Sequence, residues 1–194
     1  VTTLLALDGV ACIRGDRLLF EGLSFALSRN DALWLRGPNG AGKSSLIRLA
    51  AGLLRPAAGT VVRRGRVALI DEAAALDPEL PLRRALDFWA RVDTVDGHAV
   101  DRAMDAMALD PLADVPVAML STGQRKRAAM ARVIAGGAPI WLLDEPANGM
   151  DEAAAARLMA AIATHRANGG AVLLASHFAL GVPDLAELDM GALA

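Results

Sequence analysis

Trp34-Leu-Arg-Gly37-Pro-Asn-Gly-Ala-Gly-Lys43-Ser-Ser-Leu-Ile-Arg-Leu49 is the stretch that decides the fold. Within it Gly37, Pro38, Asn39, Gly40, Ala41, Gly42, Lys43 and Ser44 satisfy G-x-x-x-x-G-K-[ST] at every fixed position. A strand predicted over Ala32 to Arg36 leads into it, and helical spacing over Lys43 to Leu54 leads out, ended by Arg55-Pro-Ala-Ala-Gly59. Glycines let successive backbone N–H groups curl around phosphate oxygens, and the helix start adds the positive end of its dipole. Lys43 is expected to reach the β- and γ-phosphates. The Ser44 hydroxyl, beside Ser45, is expected to ligate magnesium. A glycine-rich turn before a helix can be purely structural, but the Lys-Ser pair in a strand-loop-helix context favours nucleotide binding.

The rest of the composition narrows the class. In 194 residues, 54% are hydrophobic and 22% charged, which suits one packed domain and excludes a disordered chain. A formal net charge of -2 gives no global field for nucleic acid or an anionic membrane. The one cysteine, Cys12, rules out an internal disulfide and a multi-cysteine zinc site, and reads as a small buried side chain in a reducing compartment. No apolar run is long enough for a spanning helix, and the first residues lack the pattern of a signal peptide. Only Lys43 and Lys126 are lysines among twenty basic residues. A cramped phosphate pocket can require lysine's compact point charge on a flexible stem, and compositional chance is the alternative explanation of the two.

Short strands are predicted at Leu4 to Asp8, Gly22 to Leu27 and Ala32 to Arg36, with turns at Arg14-Gly-Asp16 and Arg29-Asn-Asp31. Two more flank Gly65, at Thr60 to Arg64 and Arg66 to Asp71. Apolar residues at three-to-four spacing predict helices over Leu82 to Val92 and His98 to Leu109, a small helical subdomain. Further helices are expected at Gln124 to Ala135 and Glu152 to Ala167, alternating with apolar strands Ile140 to Asp144 and Ala171 to Ser176. That alternation predicts a parallel sheet covered on both faces.

Ile140-Trp-Leu-Leu-Asp144-Glu145-Pro146 delivers two carboxylates at a strand's C-terminal end, where open α/β sheets bind ligands. Asp144 is placed to hold magnesium through water, and Glu145 to polarise an attacking water as general base. By itself Asp-Glu-Pro is also an ordinary polar strand exit. Leu120-Ser121-Thr-Gly123-Gln124 opens a helix carrying Arg125, Lys126 and Arg127. Ser121 with Gln124 three residues later is a capping-box pattern, and Ser121 with the N–H groups around Gly123 can also present a helix start to a γ-phosphate.

Taken in order, these motifs resemble the ATP-binding cassette (ABC) ATPases over nearly the whole chain. The resemblance implies an α/β fold, a P-loop NTPase nucleotide-binding domain. It would have an N-terminal antiparallel β subdomain, a RecA-like parallel-sheet core and a short helical subdomain at about 74–135, all one domain over 1–194. It implies ATP and Mg2+ as ligands and a second copy whose signature loop closes on the first copy's ATP. Asn148-Gly-Met-Asp151 matches the family's D-loop, with asparagine where serine is usual, and Thr122 replaces the signature's first glycine. His177 matches the histidine that contacts the γ-phosphate. His98 and His165 match nothing and read as surface residues. Two departures stand out: Ala73 falls where the family carries a magnesium-touching glutamine, and Arg14 falls where an aromatic stacks on adenine. With Ala73 there, water, Asp71 or Glu72 would complete the magnesium shell. A guanidinium plane can still cover a base, with weaker nucleotide affinity expected.

The local strings around Leu19-Phe-Glu-Gly-Leu-Ser-Phe25, Trp34 and Trp141 are similar to the CcmA family, the ATP-binding subunit of bacterial cytochrome c maturation, or haem exporter. That similarity implies a peripheral ATPase on the cytoplasmic face of the inner membrane, docked on CcmB-like and CcmC-like integral subunits and driving haem-chaperone release or haem handling. No C-x-x-C-H occurs, so haem would belong to the partners. Arg83, Arg84, Phe88 and Trp89 fall where the helical subdomain would meet a membrane subunit. The same residues can equally form an amphipathic helix with Phe88 and Trp89 turned to the core. The alternatives are the ATPase of another importer or exporter, a nucleotide-switched clamp acting in DNA repair or translation, and a cassette that binds ATP without hydrolysing it.

Overall fold

The computed structural model describes residues 2–71, 75–177, 181 and 184–193. Its elements run β1 (Thr3–Arg14), β2 (Arg17–Ser28), β3 (Ala32–Arg36), α1 (Lys43–Ala51), β4 (Ala58–Arg63), β5 (Val67–Ile70), α2 (Leu82–Val92) and α3 (Ala99–Ala106). The chain continues through α4 (Thr122–Gly136), β6 (Ile140–Asp144), α5 (Glu152–Ala167), β7 (Ala171–Ala175) and β8 (Ala186–Asp189). It divides into two compact units, residues 1–69 with 139–145 and 163–194, and residues 70–138 with 146–162.

In the first unit, β2-β1-β4 form an antiparallel sheet, and a second sheet has the order β5-β6-β7-β3-β8. β6, β7, β3 and β8 are parallel, as the alternation of apolar strands and helices demands. β6 and β7 are buried along their whole length, which explains why they read as continuous apolar runs. One core joins Leu5, Val10 and Phe20 of the antiparallel sheet to Leu46 and Ile47 of α1 and to Leu35, Leu142 and Leu173 of the parallel one.

β1 and β2 are longer than their sequence suggests. Gly9 and Gly22, with φ near 58° and 66°, are bulges inside the ladder and not its ends, and Cys12 pairs with Phe20 beyond both. The helix after the phosphate loop stops three residues short of the predicted Leu54. Gly52 turns left-handed (φ 82°), its N–H bonds to the Leu49 carbonyl, and Arg63 donates to the carbonyls of Leu49 and Ala50. Burial draws the Arg63 guanidinium below its ordinary pKa. β8, Ala-Glu-Leu-Asp, escapes the sequence reading because it is a short, largely exposed edge strand of low β-propensity.

His165 corrects the expectation that it lies on the surface. Its ring stacks on Trp141 of β6, centroids 3.8 Å apart and planes within 6°, and rests against Gly170, where a side chain would collide with Nε2. Nε2 has no hydrogen-bond partner, and desolvation holds the imidazole pKa at about 4 against the opposing pull of the Ala171 and Pro139 backbone. The folded state therefore keeps His165 neutral while the unfolded chain takes up a proton. This stability is complete above the unfolded pKa of about 6.5 and is lost as pH falls towards 4. Urea denaturation across that window is expected to show an acid loss of about 1–2 kcal/mol that His165→Phe abolishes, the roughly 3 kcal/mol of such a shift being reduced by solvent screening of a partly exposed ring. Superimposable pH profiles for the two proteins would refute it.

In the second unit α2, α3 and α4 bury Leu82, Leu86, Val100, Met104 and Met130. α3 ends at Ala106, before the expected Leu109, because Ala108 adopts φ 50° and Arg127 Nη1 donates to the carbonyls of Met107 and Ala108. His98, just before α3, is exposed beside Asp101, as its sequence position suggests. Among the described residues no helix is long and apolar enough to cross a membrane.

Candidate functional site

The phosphate loop needs its glycines for two separate reasons. Gly37, Gly40 and Gly42 all have positive φ (139°, 82° and 94°), and a Cβ on Gly42 would sit 3.0 Å from the Phe20 ring beneath it. Lys43 is 7% exposed and folds back over the loop, its Nζ donating to the carbonyls of Gly37 at 2.7 Å and Pro38 at 3.1 Å. An ammonium stored on two neutral carbonyls is held where an anion entering the loop can take it over. Ser44 is exposed at the first turn of α1, whereas Ser45 hydrogen-bonds Cys12 of β1. Burial pushes the Cys12 thiol up, in keeping with an inert packing role.

β6 brings two carboxylates into the same unit. Asp144 is 8% exposed at the strand end. Glu145, the next residue, takes φ 48°, a left-handed conformation that costs a non-glycine residue about 1–3 kcal/mol. The turn is held by its N–H, which donates to the Ala175 carbonyl at 2.9 Å. It leaves the side chain 21% exposed and its Oε1 3.4 Å from His177 Nε2. A carboxylate so placed can accept a proton from water while the imidazole steadies it. Arg14 lies at the exposed end of the β1–β2 hairpin, opposite Arg17.

The other predicted residues belong to the second unit. Ser121 caps α4 in a full capping box: its hydroxyl accepts from the Gln124 N–H at 3.2 Å, and its own N–H donates to Gln124 Oε1 at 2.8 Å. Gln124 is thus engaged with the backbone. Gly123 is required sterically, since a Cβ there would fall 2.9 Å from the Gly149 carbonyl oxygen, so the 121–124 turn lies directly on the 148–151 segment. Asp151 caps α5 through the Ala154 N–H. On α2, Phe88 is 50% exposed and does not face the core, while the Trp89 indole donates to the Ala75 carbonyl and its ring carries the Arg132 guanidinium. Arg83 is tied to Asp87 and Asp101, and Arg84 shares a shallow groove with Phe88 and Arg91. Ala73 and Glu72 lie outside the described residues.

The residues expected to meet magnesium, Ser44 and Asp144, offer one hydroxyl and one carboxylate, both hard oxygens. Among the described residues no group of three ligating side chains occurs. Two oxygens fit an ion that keeps waters and shares phosphate oxygens, and do not fit a tightly caged one.

A glycine cradle with a buried lysine, followed in space by a strand ending Asp-Glu beside a histidine, defines a nucleoside-triphosphate-hydrolysing cassette. The ABC transporter family matches residues 20–148, and the chain belongs to it. It is 87% identical over 194 residues, the whole of both chains, to the cytochrome c biogenesis ATP-binding export protein CcmA of Sphingopyxis alaskensis. It is 53% identical over 186 residues to the CcmA of Zymomonas mobilis, covering 96% of this chain and 84% of that one. Within the ABC transporters, then, this is a member of the CcmA family. Among solved structures, the ATP-binding subunit of an ABC transporter superposes with a TM-score of 0.86 at 23% identity, covering 97% of this chain and 87% of that one. A dimeric ATP-binding cassette, MJ0796, bound to ADP and Pi gives 0.82 at 19% identity, covering 97% and 95%, a likeness of fold.

Proposed function

We propose that the chain, as one cassette over 1–194, binds Mg-ATP and hydrolyses it for bacterial cytochrome c maturation, on the cytoplasmic face of the inner membrane. The Glu145–His177 pair carries this reading, because Glu145 holds a left-handed backbone with its carboxylate 3.4 Å from His177, and His177 lines a pocket with Gly37 and Pro38 of the phosphate loop. Gly37 to Gly42 wrap the phosphates, Lys43 leaves its carbonyls for the β- and γ-oxygens, and Arg14 covers the base. Ser44 and Asp144 would hold Mg2+, which supplies charge neutralisation on the phosphates. Glu145 takes the proton of the attacking water, and His177 contacts the γ-phosphate side and holds the carboxylate. In a second copy, Ser121 and the amides at Gly123, with Gln124 and Asp151, close on that γ-phosphate. The closed pair excludes water and fixes the attacking molecule.

Half-exposed Phe88 with Arg84 and Arg91 gives α2 a face suited to a membrane subunit, CcmB-like or CcmC-like in the maturation system. The energy released would drive release of the haem-loaded chaperone. The test is recovery of the tagged chain from gently solubilised native membranes, with ATPase measured on the eluate. Recovery with haem-handling membrane subunits and active hydrolysis is expected. Recovery with a solute permease would keep the ATPase and overturn its assignment to cytochrome maturation.

A further inference from the structure

His177 follows two residues whose carbonyls are each held by a donor from a different strand. The Glu145 N–H, just past β6, donates to the Ala175 carbonyl at 2.9 Å, and the Trp34 indole Nε1–H, from β3, donates to the Ser176 carbonyl at 2.8 Å. β7 ends at Ala175, so the Ser176 carbonyl lies beyond the ladder that pairs β3 with β7. Trp34 is 8% exposed, so its bond is made away from water, where a lost partner is felt most. Trp34 also lines an open pocket with Gly37, Pro38 and His177, at the start of the phosphate loop. A buried tryptophan needs an acceptor somewhere, and any carbonyl would satisfy it. Here the acceptor is the peptide that sets the direction of His177.

We propose that Trp34 is a positioning residue for ATP hydrolysis: its indole N–H fixes the Ser176 carbonyl and so holds His177 against Glu145. The inference rests on the reading of Glu145 and His177 as the hydrolytic pair. Without this bond the phosphate loop and Lys43 are untouched, so binding stays intact while the histidine and carboxylate lose their mutual registration. The effect belongs in kcat and not in KM.

The experiment compares Trp34→Phe, Trp34→His and a benzothienylalanine at position 34, which keeps the indole shape without its donor, in the full chain within its membrane complex. Trp34→Phe and the benzothienyl protein are expected to lose about tenfold in kcat, the worth of one buried hydrogen bond. KM should stay within about twofold. Trp34→His, which restores a ring N–H, should recover part of the loss. Full kcat in the benzothienyl protein would overturn the proposal, and so would a loss confined to KM and melting temperature. Glu145→Gln and His177→Ala run alongside. If both retain full turnover, the reading of the site fails and takes this proposal with it; if both are inactive while the benzothienyl protein is not, only the role of Trp34 fails.

Discussion

Glu145→Gln is expected to abolish turnover while leaving ATP bound, and to accumulate a dimer that the wild-type protein forms only transiently. The amide keeps the shape of the carboxylate and an oxygen facing His177 Nε2 at the 3.4 Å contact, but it cannot take a proton from water. Removing a general base of this kind costs about 10²–10⁴-fold in rate. Phosphate binding is spared, because the cradle at Gly37 to Lys43 shares no hydrogen bond with the Glu145 side chain. If hydrolysis is what separates two copies joined through ATP, blocking it leaves them joined. Light scattering of the variant at saturating Mg-ATP, against the wild type and against ADP, reads this directly. A variant that stays monomeric in ATP, or hydrolyses at the wild-type rate, contradicts it.

Lys43→Ala is expected to lose ATP binding itself. The ammonium is buried and rests on two neutral carbonyls, a weak arrangement that a polyphosphate would outcompete. Charge-assisted hydrogen bonds to phosphate are worth about 1.5–3 kcal/mol, so affinity should fall by at least tenfold. Turnover should drop further, since the same charge is needed at the transferring phosphoryl group. The one other lysine in the sequence is Lys126 on α4, and every other Lys or Arg position is an arginine with a bulkier, planar head. Titration with a fluorescent ATP analogue, with melting temperature as a check on folding, measures the effect. Unchanged affinity and turnover would remove Lys43 from the site.

What the sequence makes legible follows from where the physics is local. α2, β6 and α5 run over the same residues in sequence and structure, because an apolar period or a continuous apolar run sets them and nothing distant competes. The phosphate loop is legible because close backbone approach dictates its glycines, as Gly42 over Phe20 shows. The capping box at Ser121 and Gln124 is likewise a three-residue event. Long-range pairing hides the rest. Gly9 and Gly22 read as strand ends, yet the ladder continues past them, since two twelve-residue strands pay for a bulge with the pairs beyond it. His165 looks like a surface histidine on α5 until Trp141 of β6 is placed beneath it. The Trp34 bond to Ser176 spans 142 residues, and its only sequence signal is an unusual tryptophan inside an otherwise aliphatic strand.

Hydrolysis at Glu145 is proposed to serve cytochrome c maturation. The most direct test is covalent haem staining of c-type cytochromes in cells whose chromosomal copy of this chain is replaced by Glu145→Gln. Haem-stained cytochromes are expected to disappear while the variant remains at wild-type abundance, and a wild-type copy is expected to restore them. Normal staining with the variant as the sole copy would contradict it.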